Sequence, residues 1–264
     1  MDPAFSPQQL ALACLAAVGA GAVNALAGGG TLITFPTLTA LGLPAVAANV
    51  TNTLAVAPGA LGGLVTQRRE LAGQGPRLAK LVPMALVGGV VGGELLLHTN
   101  EALFRRLVPW LILGASALLA VQEPLRAWLL RRLGAFAAAG GTGHRRHEEA
   151  LATVLVFFAS IYGGYFGAGL GVIVLAVLGL ILHDSLTRLN AAKQAIGFAA
   201  NLAAAVVFAV GGPVHWLTAA VMAVGAVAGG AIGGHLAGRV RAGTLRVLVV
   251  AIGISVGLAY LVRG

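Results

Sequence analysis

Ten apolar runs, each separated by a short polar or basic break, dominate this chain. They cover about residues 9–27, 30–43, 45–65, 78–97, 103–121, 150–167, 169–182, 188–211, 215–236 and 243–262. A helix needs about 20 apolar residues to cross a bilayer. Most of the runs reach that length, but 30–43 and 169–182 do not. Charged residues make up only 9% of the chain, against roughly 25% in a water-soluble domain. So few charges cannot cover a water-facing surface. The pattern therefore predicts an all-α integral membrane protein.

The net charge of +9 would suggest a nucleic-acid partner in a soluble protein. Here the 17 Lys and Arg cluster in the breaks between apolar runs, which is the loop bias of a membrane protein, so no nucleic-acid partner is expected. The N-terminal "MDPAFSPQQL" has no basic residue and the first is Arg68, so the first run is read as part of the mature protein rather than a signal peptide. Cys14 is the sole cysteine, which leaves no intramolecular disulfide and no cysteine metal site.

The runs fall into two sets of five that resemble each other. "ALAGGGTLITFPTLTALGLPAVAANVTNTLAV" matches "YFGAGLGVIVLAVLGLILHDSLTRLNAAKQAI", with Asn49 and Asn52 opposite Asn190 and Lys193. "MALVGGVVGGELLL" matches "MAVGAVAGGAIGGH". The organisation expected is a first repeat over 1–121, a polar linker over 122–149 and a second repeat over 150–264.

Five crossings per half place the basic loops 66–77 and 122–149, Arg188, Arg239 and Arg241 on one side. The N-terminus, Pro44 and the 98–102 and 211–214 loops fall on the other, nearly free of basic residues. The basic side is then cytoplasmic, with both termini outside. An odd number of crossings inverts the second half relative to the first. Inverted repeats with interrupted helices are a transporter architecture, with the substrate site where the repeats meet. Parity alone does not separate a full two-span hairpin from a re-entrant one. The shortness of 30–43 and 169–182 favours short, partly re-entrant helices meeting inside the bilayer.

Glycine clusters open both short runs: "AGGGT" with Gly28, Gly29 and Gly30, and "GAGLG" with Gly169. Irregular backbone at membrane depth survives only where protein buries it or where it lines a wet cavity. A helix starting at such a break aims free N–H groups and a positive dipole end at it, which suits an anion. The glycines of "GGVVGGE" and "GAVAGGAIGG" read instead as helix-packing contacts. No GxxxxGK motif and no strand context supports a nucleotide site.

On these residues the sequence resembles the sulfite exporter TauE/SafE family. The resemblance rests on "NALAGGGTLITFPTLTALGLP", on the A-x-N-x-T-N-T that follows and on "LNAAKQAIGFAANLAAAVVF", and it extends over nearly the whole chain. It implies a two-halved permease of the bacterial inner membrane that exports sulfite, sulfoacetate or a related small anion. It also implies no organic cofactor and no enzymatic step.

Several polar residues inside the runs are candidates for substrate binding. Asn49, Thr51 and Asn52 lie near the start of run 45–65, and Asn49 and Asn52 share a face. In the second half stand Asn190, Lys193 and Gln194, with Asn201 two turns on. Amide N–H groups can donate to an oxyanion without carrying charge. Lys193 stands about 13 Å into its helix if Asp184 is the N-cap. A lysine so deep is costly unless it is paired, faces water or snorkels to the interface. Tyr162 and Tyr165 can offer hydroxyls to the same cavity or simply pack. Arg188 is expected at the cytoplasmic mouth, where it raises local anion concentration.

Glu94 is a carboxylate within an apolar run, but it has no counterpart in the other half to suggest a proton relay. His98 and His215 read as interfacial. His144 and His147 read as members of a solvated loop, so no metal is expected. No paired carboxylates, metal-spaced histidines or nucleophile with a base suggest an enzyme. The alternatives kept are a carrier or uptake permease for another small anion such as a carboxylate, and a non-transporting membrane scaffold. A homo-oligomer is compatible with the sequence.

Overall fold

The computed structural model describes residues 5–26, 29–138, 145–236 and 242–263. The described residues form eleven helices: α1 (Pro7–Leu26), α2 (Thr31–Ala40), α3 (Ala45–Thr66), α4 (Gly75–Leu97), α5 (Glu101–Ala120), α6 (Gln122–Ala138), α7 (Arg145–Tyr165), α8 (Leu170–Ile181), α9 (Leu186–Gly211), α10 (Trp216–Leu236) and α11 (Ala242–Arg263). No strand occurs among them. Five helices (α4, α5, α9, α10 and α11) are long and apolar enough to cross a membrane. Large apolar side chains such as Leu15, Phe158, Val224 and Val247 stand more than half exposed, an outer surface suited to lipid.

Both short runs become short helices, 10 residues in α2 and 12 in α8, each entered through a glycine break. Gly29 takes φ +91° at the first break, and Gly167 and Gly169 take φ +79° and +80° at the second. Those left-handed values suit only glycine without strain. The two short helices do not pack along each other, although Phe35 of α2 meets Phe166 of the second break edge-on at 5.6 Å. α2 packs on α1, α3, α5 and α11, and α8 packs on α5, α6, α7 and α9. What the breaks share is α5, because Gly29 abuts Leu119 while Gly169 abuts Ala115 and Leu118.

The segment 122–149 is largely helical: α6 occupies most of it, and α7 begins at Arg145. α6 packs against α5, α8 and α9 rather than merely joining the halves. His147 therefore falls in the first turn of α7, its side chain outside the described residues, as are His144, Gly28, Arg239 and Arg241.

The halves interlock. α1 lies along α10, and its counterpart α7 lies along α4; α3 contacts α10 as α9 contacts α4. Glycine makes these approaches possible. A Cβ on Gly21 would collide with the Ala226 carbonyl, one on Gly229 with that of Val18, one on Gly89 with that of Ala200 and one on Gly92 with that of Ile161. The glycine rows read as packing contacts are packing contacts, and they bury backbone on backbone in the manner of membrane helix pairs.

Helix ends sort into two faces. On one, Gln9 donates to the Leu41 carbonyl, Glu101 receives the Ala45 and Val46 amides, Phe5 stacks on His215, and Thr39 meets the Tyr260 hydroxyl. On the other, Arg77 pairs with Asp184 at 2.8 Å, Lys80 with Glu149 at 2.6 Å and Arg246 with Glu123 at 3.0 Å. The first face is not free of positive charge, since Arg105 and Arg106 stand on the opening turns of α5.

Candidate functional site

The second break runs as a strand of irregular backbone past one polar residue after another. At its start, Asn49 Nδ2 donates to the Tyr165 carbonyl at 2.9 Å, satisfying an orphan oxygen at the end of α7. Midway, a Cβ on Gly167 would stand 3.5 Å from Asn201 Oδ1. At the start of α8, a Cβ on Gly171 would lie 3.9 Å from Lys193 Nζ. Asn49, Asn201 and Lys193 thus mark three successive stations along one break. Asn201 and Lys193 are eight residues apart on α9, about 12 Å.

Lys193 is the electrostatic focus. Its ammonium approaches the first turn of α8, whose dipole end is also positive. The Gly171 amide donates no hydrogen bond among the described residues. Arg126 on α6 adds a further positive field at Lys193. Among the described residues no carboxylate or other acceptor bonds Lys193 Nζ. These three sources of positive potential stand together with no acid between them among the described residues.

The residues singled out in sequence do not form one cluster. α3 and α9 run antiparallel, with Val50 against Gly212, the Thr51 hydroxyl accepting the His215 amide at 3.0 Å, and Gln67 bonded to Asn190 at the other end. Asn49, Thr51 and Asn52 therefore lie level with the end of α9, about five turns or roughly 27 Å from Lys193. Thr51 is a tie between α3 and the α9–α10 loop. Asn190 is engaged with Gln67 at 2.9 Å. Gln194, one residue past Lys193, is half-buried.

Asn49 and Asn52 are fully buried, yet their Oδ1 atoms have no partner. Each unsatisfied oxygen costs about 1–3 kcal/mol. Asn49 Nδ2 is already committed to the Tyr165 carbonyl, whereas Asn52 Nδ2 forms no hydrogen bond among the described residues. The Tyr165 hydroxyl points away from the break to Thr99, at 3.4 Å, and its ring packs edge-on against Phe104. The Tyr162 hydroxyl donates to the Ala168 carbonyl at 2.6 Å and so braces the break from inside. Both tyrosines build the break rather than offer free hydroxyls.

The first break is closed by its own chain. Asn24 Oδ1 accepts the Gly30 amide at 2.8 Å, and Thr34 Oγ1 donates to the Gly30 carbonyl at 3.2 Å. Pro36 inside α2 lacks an amide, and Thr37 and Thr39 return their hydroxyls to α2 carbonyls. Asn24 and the threonine series carried a sequence signal, polar residues at fixed offsets around the glycines, that the reading of the repeat passed over.

At the basic face Ser185, not Asp184, caps α9, its Oγ accepting the Arg188 amide at 3.3 Å. Asp184 instead bridges Arg77 and Arg188. Partial burial pushes its carboxyl up, but hydrogen bonds from Arg77, the Ser185 amide and Arg188 outweigh this and hold it below the usual carboxylate range. Arg188 also donates to the Ala72 carbonyl. Its charge is largely committed, which weakens its reading as an anion attractor. Glu94 is about half exposed beside His98 and lies away from the break. Among the described residues no cluster of metal-ligating side chains occurs.

Comparison with known proteins extends over the same span. Residues 13–260 match the family profile described as Sulfite exporter TauE/SafE. A protein named "Probable membrane transporter protein" from Haemophilus influenzae is 30% identical over 229 residues, covering 85% of this chain and 84% of its own length. A "Probable membrane transporter protein YfcA" from Escherichia coli K12 is 24% identical over 235 residues, covering 88% and 81%. No solved structure matches the chain.

Proposed function

The chain belongs to the sulfite exporter TauE/SafE family of membrane transporters, and from that premise we propose that it carries sulfite or a small organosulfonate anion, such as sulfoacetate, out of the cell across the bacterial inner membrane. The observation that carries this reading is Lys193, an ammonium with no partner among the described residues, facing the N-terminal turn of α8 across Gly171. An anion there meets a charged donor, the Gly171 amide and a helix dipole at once. In our reading the substrate passes along the second break, from Lys193 past Asn201 towards Asn49. The face holding Arg77, Lys80, Arg188 and Arg246 is cytoplasmic, and both termini are periplasmic.

The driving force need not involve a protein carboxylate. The cytoplasm is electrically negative, and about 2.3 kcal/mol per charge is available at 100 mV. That supports roughly fifty-fold accumulation of a monovalent anion outside. Inverted halves rocking about the break would alternate access.

The test is charge movement by the full chain in proteoliposomes on a solid-supported membrane. Sulfite, sulfoacetate, taurine, sulfate, acetate and a dicarboxylate are presented in turn. Currents specific to sulfite or a sulfonate, and lost in Lys193→Met, are expected. Currents for carboxylates alone would reassign the substrate. Undiminished sulfite currents in Lys193→Met would remove Lys193 from the site.

A further inference from the structure

A groove of about 660 Å³ opens on the face opposite the Arg77–Asp184 cluster, between the start of α5 and the end of α11. Glu101, Arg105, Arg106, Pro109, Trp110 and Tyr260 line it. It lies apart from the glycine breaks, which abut the other end of α5 at Ala115–Leu119.

Three features define its chemistry. The charge is lopsided, because the Glu101 carboxylate is committed to the α3 N-terminus, accepting the Ala45 amide at 2.6 Å and the Val46 amide at 3.0 Å. Arg105 stands 3.6 Å from the same carboxylate, a loose contact. Arg106 forms no ion pair or hydrogen bond among the described residues. The wall is also graded. Arg106 and Trp110 are one turn apart on the same side of α5, and Trp110 is 64% exposed. Guanidinium at the helix start and indole one turn deeper follow the order of headgroup and acyl boundary in a bilayer. Finally, the far wall is fixed, since the Tyr260 hydroxyl is bonded to Thr39 of α2.

We propose that this groove is a binding site for an anionic phospholipid of the adjoining leaflet. The phosphate and headgroup engage Arg106 and Arg105, and an acyl chain lies along Trp110, Pro109 and Leu261. A bidentate guanidinium–phosphate contact is the strong form of this interaction, and a second arginine one residue away extends it to the headgroup. The site is separate from the transport path and does not depend on which anion is carried. Because Glu101 both borders the groove and caps α3, an occupied groove steadies the helix that bears Asn49 and Asn52.

The experiment compares thermal unfolding of the purified full chain in detergent with added phosphatidylglycerol, phosphatidylcholine or inorganic phosphate, alongside native mass spectrometry of retained lipid. For the parent chain, phosphatidylglycerol should raise the midpoint by several degrees more than phosphatidylcholine. Phosphate alone should do nothing, and one or two lipids should remain bound. Arg106→Gln should shrink the difference, Arg105→Gln/Arg106→Gln should abolish it, and Lys80→Gln on the other face should retain it. Equal effects of the two lipids, a full difference in the double variant, or reproduction by phosphate would each overturn the proposal. So would a parent dimer that the double variant dissolves, since the groove would then be a protein interface. If the double variant does not fold, Arg106→Gln and the lipid retained by the parent decide the matter.

Discussion

At the scale of single residues, Lys193 and Gly171 separate a functional site from a packing site. Lys193→Met removes a half-buried ammonium that has no partner among the described residues, so the fold should be no less stable while anion currents disappear; a thermal midpoint beside the current recording checks both. A Cβ on Gly171 would meet Lys193 at 3.7–3.9 Å, ordinary contact distance. Gly171→Ala should therefore fold normally yet occupy the place the anion needs, lowering current at a fixed sulfite concentration at least several-fold. An unchanged current in that variant would move the binding place away from the α8 N-terminus. Asn49 behaves differently, because its amide holds the Tyr165 carbonyl. Asn49→Ala should cost about 1–3 kcal/mol by freeing that buried oxygen, read as a fall in the thermal midpoint. These roles were only half legible in sequence. The polar residue types and their depth stood out, but which atom of Asn49 is already used depends on a contact 116 positions away.

At the scale of elements, the glycine rows and the basic-face cluster govern how helices meet. Gly92→Ala or Gly229→Ala would drive a methyl into the carbonyl of Ile161 or Val18. Either should separate α4 from α7 or α1 from α10 and cost several kcal/mol, seen as loss of the folded monomodal peak in size exclusion. Gly114→Ala, with nothing near its Cβ, should be neutral and is the control. The Arg77–Asp184–Arg188 bridge ties α4 to the α8–α9 turn. Because the Asp184 carboxyl is held below its usual range, its contribution is complete above the ordinary carboxylate pKa of about 4. It is lost as pH falls through the depressed value. The bridge is partly exposed, so Asp184→Asn should cost only about 1 kcal/mol or less at neutral pH. The difference between variant and parent should vanish in strong acid.

At the scale of the whole molecule, the arrangement of loops on two faces predicts a labelling pattern. With Cys14 replaced by Ser, single cysteines introduced at Thr99 or Trp216 should react with an impermeant thiol reagent added to intact cells. A cysteine at Arg69 should react only after permeabilisation. Labelling in the opposite sense would reverse the membrane orientation assigned here and turn the proposed exporter around.

Much of the architecture was determined by the sequence itself. Membrane residence, breaks at the glycine clusters and close packing at the glycine rows all follow from local causes. These are apolar run length, the conformational needs of the backbone and the absence of side-chain bulk. Tertiary structure alone decided that both glycine breaks abut α5, that Asn49 and Lys193 stand about five turns apart, that Asp184 bridges two arginines rather than capping α9, and that Glu101 is spent on the α3 N-terminus beside an open arginine groove. Each is a contact between distant segments. The spacing of residues within one helix says where a side chain lies along that helix, but only the packing of all the helices says what it faces.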